Sequence, residues 1–309
     1  MPKQTPEFKS AQETLAKQIR DNRPNIADSS VRTYVSILSN MYYREHDRSS
    51  PINLAFFKKE SHILELLKEK TPQSRKTTLA AIVVLNGKDC DNLELSKQMI
   101  SDVKASEAEL NTQTKTKRQE ENWLPYDAVK EKQAEYEKLA SEILSSKQKP
   151  DDTKKEILTR YMILAMSSGV FFPPRRSEMV LIKLKDVDEK KDNYIDLSTN
   201  EFVYNQYKTA KKYGQQRVKF PTKFKTILKK YLSKIAGQTY LLEHMGTPYE
   251  PNRVTRTLNQ IFGRKISTSM LRHIYLTDHY EGIPALKDMN ALAHDMGQSL
   301  GMALQYVKR

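Results

Sequence analysis

The sequence predicts a mainly α-helical protein of two domains, an N-terminal helical bundle and a C-terminal α+β domain with a small antiparallel sheet. Three observations support this fold class. Apolar residues recur at three- and four-residue steps over most of the 309 residues, which is typical of helices buried on one face. Strict alternation of polar and apolar residues is confined to one stretch, residues 193–220. A charged segment without apolar periodicity, residues 101–121, separates the two parts, so we place the domains at residues 1–118 and 119–309.

The N-terminal domain is predicted to contain three or four short helices. Ser29 or Ser30 is suited to capping a helix whose buried face lies within residues 31–42. Pro51 opens a second helical segment, and a third is expected over residues 75–86. Helices this short bury their apolar faces against one another, which predicts a compact bundle.

The C-terminal domain is predicted to contain its strands in one small region. NYIDLSTNEFVYNQYK and QQRVKFP alternate polar with apolar residues, and the turn-prone KKYG separates them. The rest of the domain returns to helical spacing. Helices are expected at residues 126–144, 153–168, 224–235, 251–262, 268–280 and 285–306.

The charge of the chain favours a polyanionic partner. Lys and Arg number 52 against 38 Asp and Glu, which gives a formal net charge of +14 and a pI near 9.5. We expect double-stranded DNA, ahead of an anionic membrane surface. The longest unbroken apolar stretch, Leu79 to Leu85, is far shorter than the ~20 residues of a membrane span, and the start MPKQTPEFKS lacks the apolar core of a signal peptide. We therefore expect an intracellular protein that works with DNA.

Cofactor-binding motifs are absent from the sequence. With nine Gly and neither GxGxxG nor GxxxxGK[ST], a nucleotide cofactor is not expected. The six histidines show no HExxH grouping, and Cys90, the single cysteine, can form neither an internal disulfide nor a cysteine-based zinc site. The sequence predicts no cofactor and no metal.

Two segments near the predicted hairpin carry cations that folding alone explains poorly. PPRRSEM, residues 173–179, places two arginines at a predicted helix start, where cations lose about 0.3 to 1 kcal/mol unless an anion joins them. A phosphate would resolve this conflict, and the alternative is a surface ion pair with Glu178. YKTAKKYG, residues 207–214, is a lysine cluster at the hairpin tip, and most such clusters are solvated turns.

Two later segments add an arginine and a tyrosine. Arg272 lies among apolar residues in the predicted helix STSMLRHIYLTDHY. Because a buried charge costs several kcal/mol without a partner, Arg272 either bridges to a carboxylate or binds a phosphate. Tyr306 lies near the end of AHDMGQSLGMALQYVKR, where a tyrosine taken alone is a core or edge residue.

The order of these features resembles the tyrosine recombinases, also called phage-type integrases. The resemblance covers about residues 150–309 and implies a tyrosine-recombinase-like catalytic domain behind a helical DNA-binding domain. PPRRSEMVLIKLKDVD is similar to the family's first box, whose arginine stands three residues before a glutamate; this selects Arg175, with Arg176 as the fallback. SMLRHIYLTD is similar to the HxLRH box and supplies Arg272, and YKTAKK is similar to the hairpin KTxK and supplies Lys208.

The last box of the resemblance makes Tyr306 the nucleophile, and two departures accompany it. Ser269 stands where the family has the first histidine of HxLRH, and Gln298 stands where a histidine follows the glycine of MGQSLGMALQYVK. Gln298 keeps a hydrogen-bond donor. His273, His294 or a water held by Ser269 could replace the other histidine; alternatively, the chain is a catalytically degenerate DNA-binding protein.

The resemblance implies integration, excision or another site-specific recombination of DNA, for a viral or mobile element, without metal or ATP. Tyr306 would form a 3′-phosphotyrosyl link, Lys208 would protonate the departing 5′-oxygen, and Glu178 would orient an arginine. The residue types suit these roles. The guanidinium groups of Arg175 and Arg272 bind phosphate oxygens bidentately, and a covalent intermediate conserves the bond energy for rejoining.

The resemblance also implies a homo-tetramer on two DNA duplexes, formed from monomers or dimers. A type IB topoisomerase is the nearest alternative, since it shares the arginines, the lysine and the tyrosine but acts as a monomer. DNA contacts are expected mainly at phosphates. The candidate contact residues are Arg32, Arg75, Lys76, Lys211, Lys212 and Arg253.

Overall fold

The computed structural model describes residues 6–88, 93–296 and 299–301. The fold is mainly helical with a small sheet, which confirms the predicted fold class. The helices and strands are α1 (Pro6–Asn22), α2 (Asp28–Tyr42), α3 (Glu60–Leu67), α4 (Pro72–Asn86), α5 (Leu93–Asn111), α6 (Lys117–Asn122), α7 (Tyr126–Ser145), α8 (Asp152–Ser167), β1 (Ile182–Lys183), β2 (Asn193–Asp196), β3 (Glu201–Tyr204), α9 (Ala210–Tyr213), β4 (Gln216–Lys219), α10 (Thr222–Lys234), β5 (Glu243–His244), β6 (Thr247–Pro248), α11 (Pro251–Phe262), α12 (Thr268–His279) and α13 (Leu286–Asp295).

These elements form two compact units. The second unit is Lys115–Ile283, and the first consists of the described residues of Met1–Thr114 together with those of Pro284–Arg309. The division into functional domains at residues 1–118 and 119–309 stays a prediction. No helix within the described ranges is long and apolar enough to cross a membrane.

The first unit is a helical bundle around one buried cluster, in which Leu15, Leu38, Ile63 and Ile82 come from four different helices. It has five helices, α1 to α5, in the described part of residues 1–114, where three or four were expected. The segment expected to open at Pro51 begins instead as a 3-10 helix, Leu54–Lys58, followed by α3. Two other helix starts also differ from the prediction. Helix α2 begins at Asp28 without a side-chain cap, so the predicted caps at residues 29 and 30 lie in its first turn instead. Helix α4 begins at Pro72, before the predicted start, because the Thr71 hydroxyl accepts a hydrogen bond from a first-turn amide.

A buried ion pair joins α4 to α5. The Arg75 guanidinium donates to both carboxylate oxygens of Asp102, with distances of 2.8 Å from Nε and 2.6 Å from Nη2. The Asp102 side chain is only 2% exposed. Nη1 of Arg75 donates to the carbonyls of Lys68 and Lys70. The arginine therefore holds the packing of this unit together.

The second unit contains the four-stranded sheet, in the order β1-β2-β3-β4. Strands β2, β3 and β4 pair antiparallel as predicted, and the short β1 adds to β2 in parallel. In the β3–β4 hairpin, Tyr204 is paired with Gln216. The connection of this hairpin, residues 205–215, includes the single-turn helix α9.

The core of the second unit lies between the sheet and helices α8 and α10 to α12. Helix α8 is buried along most of its length, as its continuous apolar run predicts. An aromatic cluster joins the sheet to α10: Phe202 and Phe224 contact Phe172 with ring centroids 5.4 and 5.3 Å away, and Phe220 packs on both. Phe172 directly precedes the PPRRSEM segment, so this cluster anchors that segment on the sheet.

Two helices differ from the prediction. The helix expected to begin at PPRRSEM is a short 3-10 helix, Ser177–Leu181, which leads into β1. Pro173 and Pro174 cannot continue a helical backbone, and the apolar run after Met179 supplies a strand instead. Because so short a helix has little dipole, the repulsion expected between Arg175, Arg176 and a helix N-terminus does not arise here. Helix α13 ends at Asp295, which interrupts the helix predicted over residues 285–306; residues 300–301 are helical again, and residues 302–306 lie outside the described residues.

Candidate active site

An open cleft of about 410 Å³ in the second unit brings together Arg175, Lys208 and Arg272. Each comes from a different segment: the loop before the 3-10 helix, the β3–β4 connection and α12. The other lining residues are Pro173, Pro174, Arg176, Glu178, Tyr207, Thr209, Gln216 and Val218. The structure thus gathers three cations that lie far apart in the sequence.

Arg175 is held by aromatic rings and an amide. Its Nη1 donates to Oε1 of Gln216 at 2.9 Å. Its Cζ lies 4.4 Å from the ring centroid of Tyr204 and 5.3 Å from that of Tyr207, within the range of cation–π interactions. Its Nε is buried without a hydrogen-bond partner. Burial raises the pKa of Tyr204, even though the Arg175 charge opposes the shift, so this tyrosine contributes a neutral ring.

Lys208 is exposed in the turn that follows β3. A buried amide holds the residues before it: Oδ1 of Asn193 accepts hydrogen bonds from the amides of Asn205 and Gln206 at 2.8 and 2.7 Å. Nδ2 of Asn193 donates to the Gln206 carbonyl at 2.9 Å and reaches the carbonyl of Glu178 at 3.5 Å. The same side chain therefore touches two of the segments that form the cleft.

Arg272 lies in the first turns of α12. Ser267 caps this helix by accepting from the Met270 amide at 3.2 Å, and Leu271 and Ile274 bury its inner face. Arg272 is half-buried and makes no ion pair or hydrogen bond with any residue that the structure describes. Of the two alternatives in the sequence, the bridge to a carboxylate is not formed, and the guanidinium remains open to an anion.

Glu178 also lines the cleft but does not pair with its arginines. Its Oε2 is buried without a hydrogen-bond partner, and neither Arg175 nor Arg176 forms an ion pair with it. Four cationic side chains therefore face one carboxylate in this cleft. Such an excess of positive charge in a partly enclosed site favours an anion, and the planar guanidinium groups favour a phosphate.

The remaining predicted site residues either are not among those that line the cleft or lie outside the described residues. Ser269 and His273 are exposed on α12 and are not among the residues that line the cleft. His294 lies on α13, in the first unit, with its side chain 90% exposed. Gln298 and Tyr306 lie outside the described residues.

The predicted DNA contacts fall into two groups. Arg75 is engaged by the buried Asp102. Arg32, on α2, is exposed, and Lys76, on α4, is half-buried. The remaining three belong to the second unit: Lys211 and Lys212 are exposed on α9, beside the cleft residue Thr209, and Arg253 packs its guanidinium on the Tyr249 ring at 4.9 Å. Their contact with DNA stays a prediction.

Sequence reasoning missed three residues of the site, namely Tyr204, Tyr207 and Gln216. Tyr204 and Gln216 face each other in the β3–β4 hairpin, so their side chains lie on the same face of the sheet. The alternating pattern of QQRVKFP predicts that Gln216 belongs to a strand. The pairing of that strand would have placed Gln216 beside Tyr204, but an irregular connection of residues 205–215 leaves the pairing open from sequence alone.

Comparisons with known proteins do not establish a family. No protein-family model matches the chain, and no curated protein matches it. Among solved structures, a crystal structure of XerA recombinase aligns with 96% of this chain and 94% of its own, with a TM-score of 0.36 and 13% sequence identity. We therefore base the function on the cleft and its residues.

Proposed function

We propose that this chain is a DNA strand transferase of the tyrosine recombinase type, which cleaves and rejoins DNA through a 3′-phosphotyrosyl intermediate. The observation that carries the proposal is the meeting of Arg175, Lys208 and Arg272 in one cleft. The resemblance to the tyrosine recombinases selects the same three residues from the sequence alone. Surface cations whose only role is solvation are not expected to converge on one cleft from three separate segments.

The chemistry of the cleft suits an in-line displacement at a phosphodiester. Tyr306 attacks phosphorus and passes its phenolic proton to a base, for which His273, His294 and a water held by Ser269 are the candidates. The bond from phosphorus to the 5′-oxygen breaks, and Lys208 gives that oxygen a proton. Arg175 and Arg272 stabilise the charge on the non-bridging oxygens. The released 5′-hydroxyl of a partner strand then attacks the phosphotyrosine, which rejoins DNA and frees the tyrosine.

Covalent capture on DNA tests this proposal. The full chain is incubated with DNA from its source, protein-linked fragments are sequenced, and the recovered site is rebuilt as a duplex nicked beside the cleavage position, so that the cut end diffuses away. We expect a covalent adduct at a DNA 3′ end and its loss in Tyr306→Phe. An adduct that persists in Tyr306→Phe would refute the assignment of the nucleophile, with Tyr275 and Tyr280 tested next.

Variants in the cleft test the other roles. Arg175→Ala and Arg272→Ala are each expected to slow adduct formation about 10²- to 10³-fold, the usual effect of removing one group that stabilises transition-state charge. Arg176→Ala is the comparison, because Arg176 also lines the cleft but is exposed and makes no hydrogen bond or cation–π contact with Gln216 or Tyr204, so a smaller loss is expected. A larger loss in Arg176→Ala than in Arg175→Ala would transfer the role to the fallback arginine.

The role of Lys208 as the acid has its own test. A duplex with sulfur in place of the bridging 5′-oxygen releases a thiolate, which needs no proton because a thiol has a far lower pKa than an alcohol. We expect Lys208→Ala to cleave the ordinary duplex slowly and the sulfur duplex at the rate of the unaltered protein. An equal defect on both duplexes would show that Lys208 acts in another way.

The same preparations separate the alternatives. Synaptic complexes of four chains on two duplexes, detected by light scattering, are expected of a recombinase. Relaxation of any supercoiled plasmid by a monomer would instead indicate a type IB topoisomerase. Tight binding to duplex DNA without any adduct would indicate a degenerate, non-catalytic DNA-binding protein.

A further inference from the structure

We propose that Gln216, together with the rings of Tyr204 and Tyr207, is a neutral clamp that positions Arg175 without neutralising its charge. The inference rests on the proposed function, because it assigns a positioning role toward an arginine of that active site. It names three residues that the sequence alone did not select.

Three contacts of the guanidinium define the clamp. Gln216 accepts from Nη1 at 2.9 Å, while the rings of Tyr204 and Tyr207 approach Cζ at 4.4 and 5.3 Å. No described residue accepts a hydrogen bond from Nη2. A ligand that enters the cleft therefore finds the N–H groups of Nη2 unengaged, on a guanidinium whose position is already set.

The clamp is rigid because its parts belong to the hairpin. Tyr204 and Gln216 are opposite each other in the β3–β4 ladder, and Tyr204 is 1% exposed. Tyr207 closes the base of the connection, since its hydroxyl donates to the Gly214 carbonyl at 2.7 Å. Neither ring can turn away without disturbing the sheet or the connection, so the position of Arg175 follows the hairpin.

The neutrality of the clamp matters for binding an anion. A carboxylate at position 216 would form a charge-assisted bond and cancel most of the attraction that Arg175 offers a phosphate. An amide oxygen accepts the same bond and leaves the full positive charge in the cleft. The nearby carboxylate of Glu178 does not pair with Arg175 either, so the charge stays uncompensated at this point.

Substitution at position 216 separates this role from simple packing. Gln216→Glu keeps the size and the acceptor, so a structural role predicts normal activity, whereas the clamp predicts a large loss. Gln216→Leu keeps the approximate size and removes the acceptor. We expect each to lower the rate of adduct formation about 10- to 100-fold at saturating DNA. Gln216→Leu, which leaves the charge of Arg175 uncompensated, should change DNA affinity little. Gln215→Leu is the matched control, because the Gln215 amide bonds to Asn205 and not to an arginine.

A double-mutant cycle shows whether Gln216 acts through Arg175. In the Arg175→Ala background, Gln216→Leu should cost nothing further, because the group that it positions is gone. A further 10-fold loss in that background would overturn the inference. A rate in Gln216→Glu and Gln216→Leu equal to that of Gln215→Leu would overturn it as well. If Arg175→Ala itself cleaves normally, the proposed function fails instead, so the two failures can be told apart.

A readout without catalysis completes the test. The side-chain NH signals of Arg175, assigned by loss in Arg175→Lys, report its ring-current shift and its rotation. The clamp predicts shifted, slowly rotating NH groups in the full chain and averaged ones in Gln216→Leu, with circular dichroism unchanged in both. Averaged signals already present in the unaltered protein would overturn the inference even if no DNA site were found.

Discussion

Gly169 offers a sharp test of how the second unit holds Arg272 in the cleft. Its φ is +88°, and a Cβ built on it overlaps Cδ2 of Tyr275, lies 2.9 Å from Cε2 of the same ring and lies 3.0 Å from the Tyr126 hydroxyl. Tyr275 follows Arg272 by one helical turn on α12. We expect Gly169→Ala to displace α12 and the arginine with it.

The size of the effect follows from two terms. A positive φ costs an L-residue about 1 to 2 kcal/mol. Forcing a methyl group into packed aromatic rings costs about 1 to 3 kcal/mol, because the neighbours must leave their preferred rotamers. Gly169→Ala is therefore expected to lower the free energy of unfolding of this unit by about 2 to 5 kcal/mol.

Gly263→Ala separates the two terms. Gly263 has φ +62° at the end of α11, and a Cβ there meets nothing within 4 Å. It therefore carries the backbone strain without the clash. Urea unfolding followed by the fluorescence of Trp123, the only tryptophan, reports on the second unit, because Trp123 packs against its core. The two variants should differ by about 1 to 3 kcal/mol.

Equal unfolding midpoints for Gly169→Ala and Gly263→Ala would refute this reasoning. A second check is the Tyr275→Ala background, which removes the ring that the new methyl group meets. There Gly169→Ala should cost little more than the backbone term, since only the Tyr126 hydroxyl, at 3.0 Å, still meets the new methyl group. An undiminished cost would show that the ring is not the obstacle.

Three further predictions concern polar groups that are buried or half-buried. Asp102→Ala leaves the mostly buried Arg75 without its carboxylate and should lower the free energy of unfolding, measured by urea and circular dichroism, by about 2 to 4 kcal/mol. Asp28→Ala breaks an exposed ion pair and should leave the unfolding midpoint unchanged. Similar losses in the two variants would contradict this prediction. A hydrogen bond from the Ser198 hydroxyl lowers the pKa of Asp196, so its stabilising effect is present above the unfolded pKa of about 3.9 and is lost as the pH falls through the lower folded value. The free energy of unfolding should fall on acidification below about pH 4, less steeply in Asp196→Asn, and equal slopes would contradict the assignment. Asn193→Ala leaves the backbone amides of Asn205 and Gln206 without their acceptor and should lower the free energy of unfolding, followed by tryptophan fluorescence, by about 2 to 4 kcal/mol. A change below about 0.5 kcal/mol would show that water replaces the Asn193 amide, and would contradict the prediction.

The sequence predicts the regular elements well where periodicity is strong. Helix α11 has the expected bounds, and α7, α8 and α12 differ from expectation by about one residue at either end. The 3-10 helix at Ser177–Leu181 was missed because an apolar run after an arginine pair fits a helix or a strand equally well until its neighbours are known. The β5–β6 hairpin has two residues in each strand, too few to show alternation.

The site could be predicted only in part for a related reason. The order of motifs along the chain selected Arg175, Lys208 and Arg272. Motif order can be read without knowing how the elements pack. Gln216 was not, because its contact with Arg175 depends on how two strands pair across an irregular connection. Glu178 was expected to orient an arginine from its spacing, but spacing does not say which way a side chain turns after two prolines, and no ion pair joins it to Arg175 or Arg176.

The amide of Asn193 has a consequence for the order of events at the cleft. Because it bonds to the backbone just ahead of Lys208 and reaches the carbonyl of Glu178, Asn193 connects the turn of Lys208 to the segment that follows Arg175. Their spacing is therefore set before any ligand enters the cleft. In the proposed reaction, Lys208 and Arg175 are already in position when the phosphate of DNA enters the cleft. Substitutions that weaken DNA binding elsewhere should therefore slow the association with DNA and leave the alignment of Lys208 unchanged.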